Sequence, residues 1–166
     1  MAEVRHREAV AVARRLLEAE GEDALSMRRI AAELGIRAPS LYKHLDGKAD
    51  LELALIIEAL EEIGDVLASA APDLGAMARA YRRYALEHPH LYVLVTQRPL
   101  PRERLPEGLE QGAARPLVEA IGDEHRARAA WAAAHGMAIL ELNGRFPPGA
   151  DLDAAWAALV AAFGDR

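Results

Sequence analysis

Residues 30–51, IAAELGIRAPSLYKHLDGKADL, contain the signals for two short helices in succession. Apolar residues recur at helical spacing as far as Gly35, which indicates a helix that ends at this glycine. Pro39 suits the first turn of a second helix, because the N–H that proline lacks would have no partner there. Asp46-Gly47 is a turn signal and keeps the second helix short. Two helices joined by a tight turn are a helix-turn-helix, which is the structure that this segment predicts.

The same segment holds both lysines of the chain, Lys43 and Lys48. Short side chains near the start of the second helix would let its backbone lie deep in a DNA major groove. The O–H of Tyr42 and the two lysine cations suit phosphate oxygens, and Arg37 can reach a phosphate or a guanine edge. The residues expected to pack inward are Ile30, Leu34, Ile36 and Leu41. The expected outer face and its edges consist of Ala38, Ser40, Tyr42, Lys43 and His44.

Composition limits the class of protein. The chain has 166 residues, of which 52% are hydrophobic, enough for one or two small domains with a packed core. It has no cysteine, which excludes disulfides and thiolate metal sites. Its net charge of −6 argues against unspecific coating of nucleic acid, yet residues 1–50 hold nine basic and nine acidic residues. With no membrane-length apolar run and no signal-peptide core, a soluble cytoplasmic protein is expected.

Helical periodicity continues through the rest of the chain, and no segment alternates as a strand does. The prediction is therefore an all-α protein. The segment 98–106 carries three prolines and is expected to be a loop. Beyond the helix-turn-helix, helices are expected at about 3–20, 48–70, 73–87, 90–97, 107–121, 123–144 and 151–164.

Residues 30–51 resemble the helix-turn-helix of the TetR family of bacterial transcriptional repressors nearly position by position, and the resemblance covers about residues 5–55. It is carried by Tyr42 after a leucine, by His44 two residues further on, and by Lys48 at the start of the next helix. Many members have serine or threonine where this chain has Arg37, so the short helix must rely on packing for its stability. Together, spacing and resemblance predict DNA contacts by Arg28, Arg37, Ala38, Pro39, Ser40, Tyr42, Lys43, His44 and Lys48. Met27 occupies a position that often holds a small polar contact residue, and burial is the interpretation favoured for it.

A weaker resemblance covers the C-terminal half. The stretches ALEHPHLYVLV and WAAAHGMAILELNGRF are similar to a TetR-family regulatory domain marked by tryptophan, histidine and glycine, although alanine precedes His135 where tryptophan is frequent. The resemblance implies a DNA-binding domain at 1–47 and an effector-binding and dimerisation domain at 48–166. It implies that the last two helices pair with a second subunit in a four-helix bundle. The small residues of WAAAHGMAILEL also favour close helix approach.

Large amphipathic residues in this half suggest an effector pocket, because such pockets combine apolar walls with a few polar tips. The alternative is that the tyrosines extend their hydroxyl groups to the surface, that Trp131 serves core or dimer packing, and that His135 packs without touching a ligand. Few charges reach the set, so the expected ligand is largely apolar, with loop 98–106 as the mouth of the pocket. The candidate ligand-binding residues are Met77, Tyr81, Tyr84, Tyr92, Trp131 and His135.

Catalysis is poorly supported by the sequence. The chain has three serines and one threonine, and it lacks a Gly-x-Ser-x-Gly motif, a phosphate loop and HExxH. His88 and His90 alone do not predict a metal site, the paired Glu61 and Glu62 are expected to be solvated, and no cofactor is expected. The prediction is a repressor that binds a palindromic operator as a homodimer and is released by a small ligand. The alternatives are a helical protein–protein interaction module with an acidic partner, and a small helical enzyme.

Overall fold

The structure is a computed structural model that describes residues 2–164, with side chains from residue 5 onward, and this part of the chain is helical without a strand. The predicted all-α fold is confirmed. None of the helices in this range has the length and apolar character needed to cross a bilayer. The α-helices found there are α1 Ala2–Glu20, α2 Met27–Glu33, α3 Ala38–Leu41, α4 Lys48–Ala70, α5 Leu74–Glu87, α6 Pro89–Thr96, α7 Leu109–Ile121, α8 Glu124–Leu142 and α9 Leu152–Gly164.

The helices form two compact units. The first unit consists of the chain up to Leu60 together with His88–Glu107. The second consists of Glu61–Glu87 together with the chain from Gly108 onward. Helix α4 therefore supplies its first half to one unit and its second half to the other.

The ends of α2 are set by local hydrogen bonds. At its start, the hydroxyl oxygen of Ser26 accepts the N–H of Arg29 at 3.2 Å, as expected of a serine cap. At its end, Gly35 has φ +66°, a conformation that glycine adopts without strain. The N–H of Gly35 donates to the Ala32 carbonyl at 3.0 Å, and the next N–H donates to the Ala31 carbonyl at 2.9 Å. This Schellman motif fixes the turn that leads into α3.

Helix α3 has only four residues and depends on packing. Arg37 precedes it without making a side-chain cap, and Pro39 lies in its first turn, as predicted. Ile30 and Leu41 are fully buried between α2 and α3. Leu34 and Ile36, which were also expected to point inward, are only half-buried because they flank the exposed turn at Gly35. Met27 is buried, as expected.

In the second unit, helix α5 presents one buried face that includes Met77, Tyr81 and Tyr84. Asp123 caps the start of helix α8, because its carboxylate accepts the N–H of Arg126 at 2.8 Å. Small residues allow close packing elsewhere in this unit. A Cβ placed on Gly64 of α4 would lie 3.1 Å from the Cα of Ala113 on α7, so a larger residue at this position would force the two helices slightly apart.

The proline-rich segment 98–106 is more ordered than the predicted loop. It contains a single 3-10 turn, Arg102–Arg104. Arg98 forms ion pairs with Glu22 and Glu52, and Arg104 forms one with Asp50. The segment belongs to the first unit and is held there by its arginines, because its prolines cannot supply backbone N–H donors.

Candidate DNA-binding and ligand-binding sites

Tyr42 lies on the outer surface of the helix-turn-helix. Its side chain is 54% exposed, whereas Leu41 and Leu45 on either side are buried. The two leucines fix the backbone of α3 and of the turn that follows, so the phenol is held outward by its neighbours. A tyrosine in this setting offers an O–H donor to solvent or to a bound molecule.

Helices α2 and α3 and the residues next to α3 carry several exposed cations. Arg28, Arg37 and Lys43 are exposed and form no ion pair with any residue in the part of the chain that the structure describes. The adjacent Arg29 behaves differently, because it donates to the Glu20 carboxylate at 2.7 Å. That hydrogen bond raises the pKa of Arg29 and lowers the pKa of Glu20. The face formed by α2 and α3 therefore keeps three positive charges available for an external anion.

The remaining predicted contact residues of α3 and the following turn have mixed exposure. Pro39 and Ser40 are exposed and Ala38 is half-buried, which leaves a low surface at the start of the helix. His44 is half-buried, and its Nδ1 atom is buried without a hydrogen-bond partner among the described residues.

Lys48, at the start of α4, lies between two carboxylates. Its Nζ atom is 3.6 Å from Oε1 of Glu22 and 3.5 Å from Oε1 of Glu52. Arg98 shares both partners: its Nη1 atom is 3.3 Å from Oε1 of Glu52, and its other amino group pairs with Glu22. Lys48 and Arg98 thus share the carboxylates of Glu22 and Glu52, and Lys48 is the residue predicted to contact a phosphate. Sequence reasoning missed this network, because its members are separated by up to 76 positions.

Asp50 anchors the turn before α4. Its carboxylate accepts the backbone N–H of Asp46 at 2.6 Å and pairs with Arg104. The backbone hydrogen bond and then the arginine lower the pKa of Asp50 below its ordinary value. The first turn of α4, which carries Lys48, is thereby fixed to the preceding loop.

Three candidate ligand-binding residues meet at a cavity in the second unit. Met77, Tyr81 and Trp131 line it, together with apolar residues that include Leu117 and Phe163. The volume of the cavity is about 50 Å³. Pockets for drug-sized ligands have volumes of roughly 300–1,000 Å³. The cavity is apolar, as predicted, but this conformation has no room for a ligand of that size.

The other three candidates lie elsewhere. The hydroxyl of Tyr84 donates to the Glu62 carboxylate at 3.0 Å. Glu62 was predicted to be solvated, and this prediction is wrong because its carboxylate is the partner of a buried tyrosine. Tyr92 is fully buried in the first unit, since α6 belongs there. His135 stacks on Trp131 with ring centroids 6.0 Å apart, and burial lowers its pKa. All three tyrosines of this candidate set are buried.

A polar cluster on α5, α8 and α9 was also missed. Arg82 donates to Glu141 through Nε at 2.9 Å and Nη2 at 2.7 Å, and through Nη1 to Asp153 at 2.5 Å. The Trp156 indole N–H donates to the same Glu141 at 3.2 Å, and the guanidinium lies 5.8 Å from the Trp156 ring centroid. The bond to Glu141 raises the pKa of Arg82, which keeps it charged. Partners 59 and 71 positions away leave no local signal in the sequence.

His88 and His90 connect α6 to the end of α1. Nδ1 of His88 is 3.4 Å from Oε1 of Glu18. Nδ1 of His90 is 3.1 Å from the backbone carbonyl oxygen of Glu18. Within the described residues, no group of three or more potential ligands is arranged to hold a metal ion.

Two curated relatives share substantial sequence with the chain. An uncharacterised helix-turn-helix transcriptional regulator of Mycobacterium tuberculosis, Rv0681, is 35% identical over 144 residues, which cover 77% of this chain and 66% of that protein. The transcriptional repressor DrrR1 of Streptomyces coeruleorubidus is 36% identical over 109 residues, covering 61% of this chain and 39% of the repressor. The chain thus spans between about two fifths and two thirds of the length of these relatives.

Structural and family comparisons agree with this relationship. The crystal structure of a regulatory protein, SCO4313, superposes with a TM-score of 0.78 at 30% identity, over 97% of this chain and 95% of that one. A family profile described as "Bacterial regulatory proteins, tetR family" matches residues 9–55. A second, "Tetracyclin repressor-like, C-terminal domain", matches residues 74–163. The chain therefore belongs to the TetR family of bacterial regulatory proteins.

Proposed function

We propose that this regulator is a repressor that binds a palindromic operator as a homodimer and leaves it when a small, largely apolar ligand binds. The observation that carries the DNA-binding role is the outer face of α2 and α3. There, Tyr42, Arg28, Arg37 and Lys43 are all exposed, and none of the three cations is neutralised by another described residue. A duplex supplies phosphates on both sides of a groove, which match such a distribution of donors.

The shape of α3 also suits groove reading. The Schellman turn at Gly35 and the buried Leu41 hold the helix rigidly, while Ala38 and Ser40 project little from its start. A recognition helix with short side chains at its N-terminal end can lie close to base edges. Arg37 at the entrance of the helix is then positioned for a phosphate or a guanine.

In this proposal, the N-terminal and C-terminal regions of the chain have different roles. Residues 1–47 form the reading head, and residues 48–166 bind the effector and dimerise through α8 and α9. The similarity to the repressor DrrR1 supports repression as the direction of control. The proposed role needs neither a cofactor nor catalysis, and it places the protein in the cytoplasm, where bacterial DNA lies.

The cavity beside Met77, Tyr81 and Trp131 supports an apolar effector, because its walls carry no charge. Its volume of about 50 Å³ means that such a ligand must displace side chains to enter. A ligand that binds one arrangement of the helices more tightly than another shifts the equilibrium between them, which is sufficient to release DNA.

Operator binding tests the assignment of this face. A duplex selected by the wild-type protein from a random pool serves as the probe, with fluorescence anisotropy recorded over a range of salt concentrations. We expect Tyr42→Ala and Lys43→Ala to weaken binding without lowering the melting temperature, since both side chains are exposed. Lys43→Ala should also reduce the salt slope by about one unit, because one phosphate contact is lost.

Arg115→Ala is the matched control, since it removes an exposed cation from α7 in the second unit. It should leave both affinity and salt slope unchanged. Wild-type affinity in both face variants would overturn the assignment. Failure of the wild-type protein to select any duplex, combined with salt-sensitive binding to an acidic protein, would favour the interaction-module alternative.

A further inference from the structure

An open groove of about 780 Å³ runs between α5 and α9 in the second unit. The two helices are antiparallel: Arg82 near the end of α5 meets Asp153 at the start of α9, while Leu74 at the other end lies near Gly164. On α5 the lining extends from Gly75 to Glu87, a length of about 18 Å at 1.5 Å per residue. The groove is within the size range of small-molecule sites.

Three arginines of α5 line this groove, and two of them are unpaired. Arg82 is held by Glu141 and Asp153. Arg79 and Arg83 lie four residues apart on the same helical face, are exposed, and form no ion pair within the described range. Like charges at this spacing repel each other, so a bound anion would relieve an unfavourable interaction.

The other charges of the lining do not cancel this surplus. Asp153 is already paired with Arg82, and Glu87 lies one turn beyond Arg83 without pairing with it. Nη1 of Arg79 and Oδ1 of Asp73 each lie 3.2 Å from the position that a Cβ would occupy on Gly75. The side chain of Arg79 therefore runs back along α5 toward Gly75, near the Asp73 carboxylate but without an ion pair to it in the described range.

The rest of the groove is apolar and adjoins the closed cavity. Trp156, Ala157 and Val160 of α9 form its wall. Ala78 and Val160 line both the groove and the cavity that also contacts Met77 and Trp131. A small alanine is thus one of the side chains that separate a cationic open site from an apolar enclosed one.

We propose that this groove binds an amphipathic carboxylate, with its anionic head on Arg79 and Arg83 and its apolar chain directed past Ala78 toward the cavity. Arginine forks bind carboxylates through paired charge-assisted hydrogen bonds, and the apolar wall accommodates an aliphatic chain. This assignment rests on the proposed effector function, since it specifies the chemical class of the ligand. It also accounts for how a ligand larger than the closed cavity is accommodated, because most of its volume lies in the groove.

Isothermal titration calorimetry of the dimeric full chain with decanoate, without DNA, tests the proposal. Decanoate should bind the wild-type protein, and Arg79→Gln/Arg83→Gln should weaken that binding at least tenfold. Arg115→Gln/Arg145→Gln, which removes two exposed arginines that lie outside α8 and α9, is the matched control and should leave it unchanged. Binding of 1-decanol should not respond to either pair of substitutions.

Ala78→Leu tests the path of the chain. It should weaken decanoate binding several-fold while leaving butyrate, which is too short to pass Ala78, unaffected. Melting temperatures establish that the variants are folded. Because no DNA is present, a negative result here leaves the DNA-binding role of α2 and α3 in place.

Several results would overturn the proposal. They are the absence of decanoate binding, binding that ignores Arg79→Gln/Arg83→Gln, and inorganic phosphate binding as tightly as decanoate. Dissociation of the dimer by Arg79→Gln/Arg83→Gln in sedimentation would do so as well, since the groove would then be a contact between copies of the chain.

Discussion

The imidazole of His135 on α8 connects protonation to stability. Burial lowers its pKa below the ordinary value of 6.5, because a half-buried cation is poorly solvated. The unfolded chain, in which the ring is hydrated, therefore binds the proton more readily than the folded chain. Stability from the neutral ring is fully present above about pH 6.5 and declines as the pH falls below that value toward the folded-state pKa.

We expect His135→Gln to reduce the loss of stability between pH 7.5 and pH 5.5, measured as the free energy of unfolding in urea. Glutamine keeps a polar side chain at this position but does not titrate. His125→Gln, on the exposed surface of the same helix, is the control and should retain the wild-type pH dependence. An unchanged pH dependence in His135→Gln would show that the ring gains no proton across this window.

At the scale of elements, helix ends were predictable because their causes are local. Ser26 caps α2, Gly35 ends it, and Pro39 opens α3, all through contacts within a few residues. The packing partners of each helix were harder to predict from the sequence. Tyr81 and Tyr92 were both predicted to line one pocket, yet the first lines a cavity of the second unit and the other is buried in the first unit. Periodicity identifies the apolar face of a helix but does not indicate which helix covers that face.

The network at the start of α4 gives a prediction for Arg98. This residue neutralises Glu22 and Glu52, which would otherwise hold the ammonium group of Lys48 more tightly and keep it from a phosphate. We expect Arg98→Ala to weaken operator binding about 1.4-fold to fivefold, since an exposed ion pair contributes roughly 0.2–1 kcal/mol. Arg98 acts through Lys48, so Arg98→Ala should have little further effect when combined with Lys48→Ala.

Glu22→Gln offers the converse measurement. It removes one of the two carboxylates near Lys48 and should restore part of the affinity lost in Arg98→Ala. Arg115→Ala, which breaks an exposed ion pair of α7 in the second unit, should leave operator affinity unchanged. Equal losses from Arg98→Ala in the presence and absence of Lys48 would contradict the idea that the two cations cooperate.

At the scale of the whole molecule, the proposed repressor must present two reading heads. A two-fold protein that reads a palindrome places its recognition helices about 34–36 Å apart, so dimerisation and operator affinity are linked. Helix α8 exposes Trp131 and Leu140, two large apolar side chains on a helix rich in alanine. Such a surface is typical of a helix that packs against another subunit.

Leu140→Arg should therefore convert the dimer into a monomer and reduce operator binding by more than tenfold. Two-fold symmetry introduces the new cation twice, and each copy would be buried without a partner. Val93→Arg, which introduces the same charge at a similarly exposed apolar residue of α6 in the first unit, should leave the sedimentation coefficient unchanged. Sedimentation velocity at micromolar concentration distinguishes these results. A Leu140→Arg protein that stays dimeric and binds the operator normally would place the subunit contact away from this part of α8.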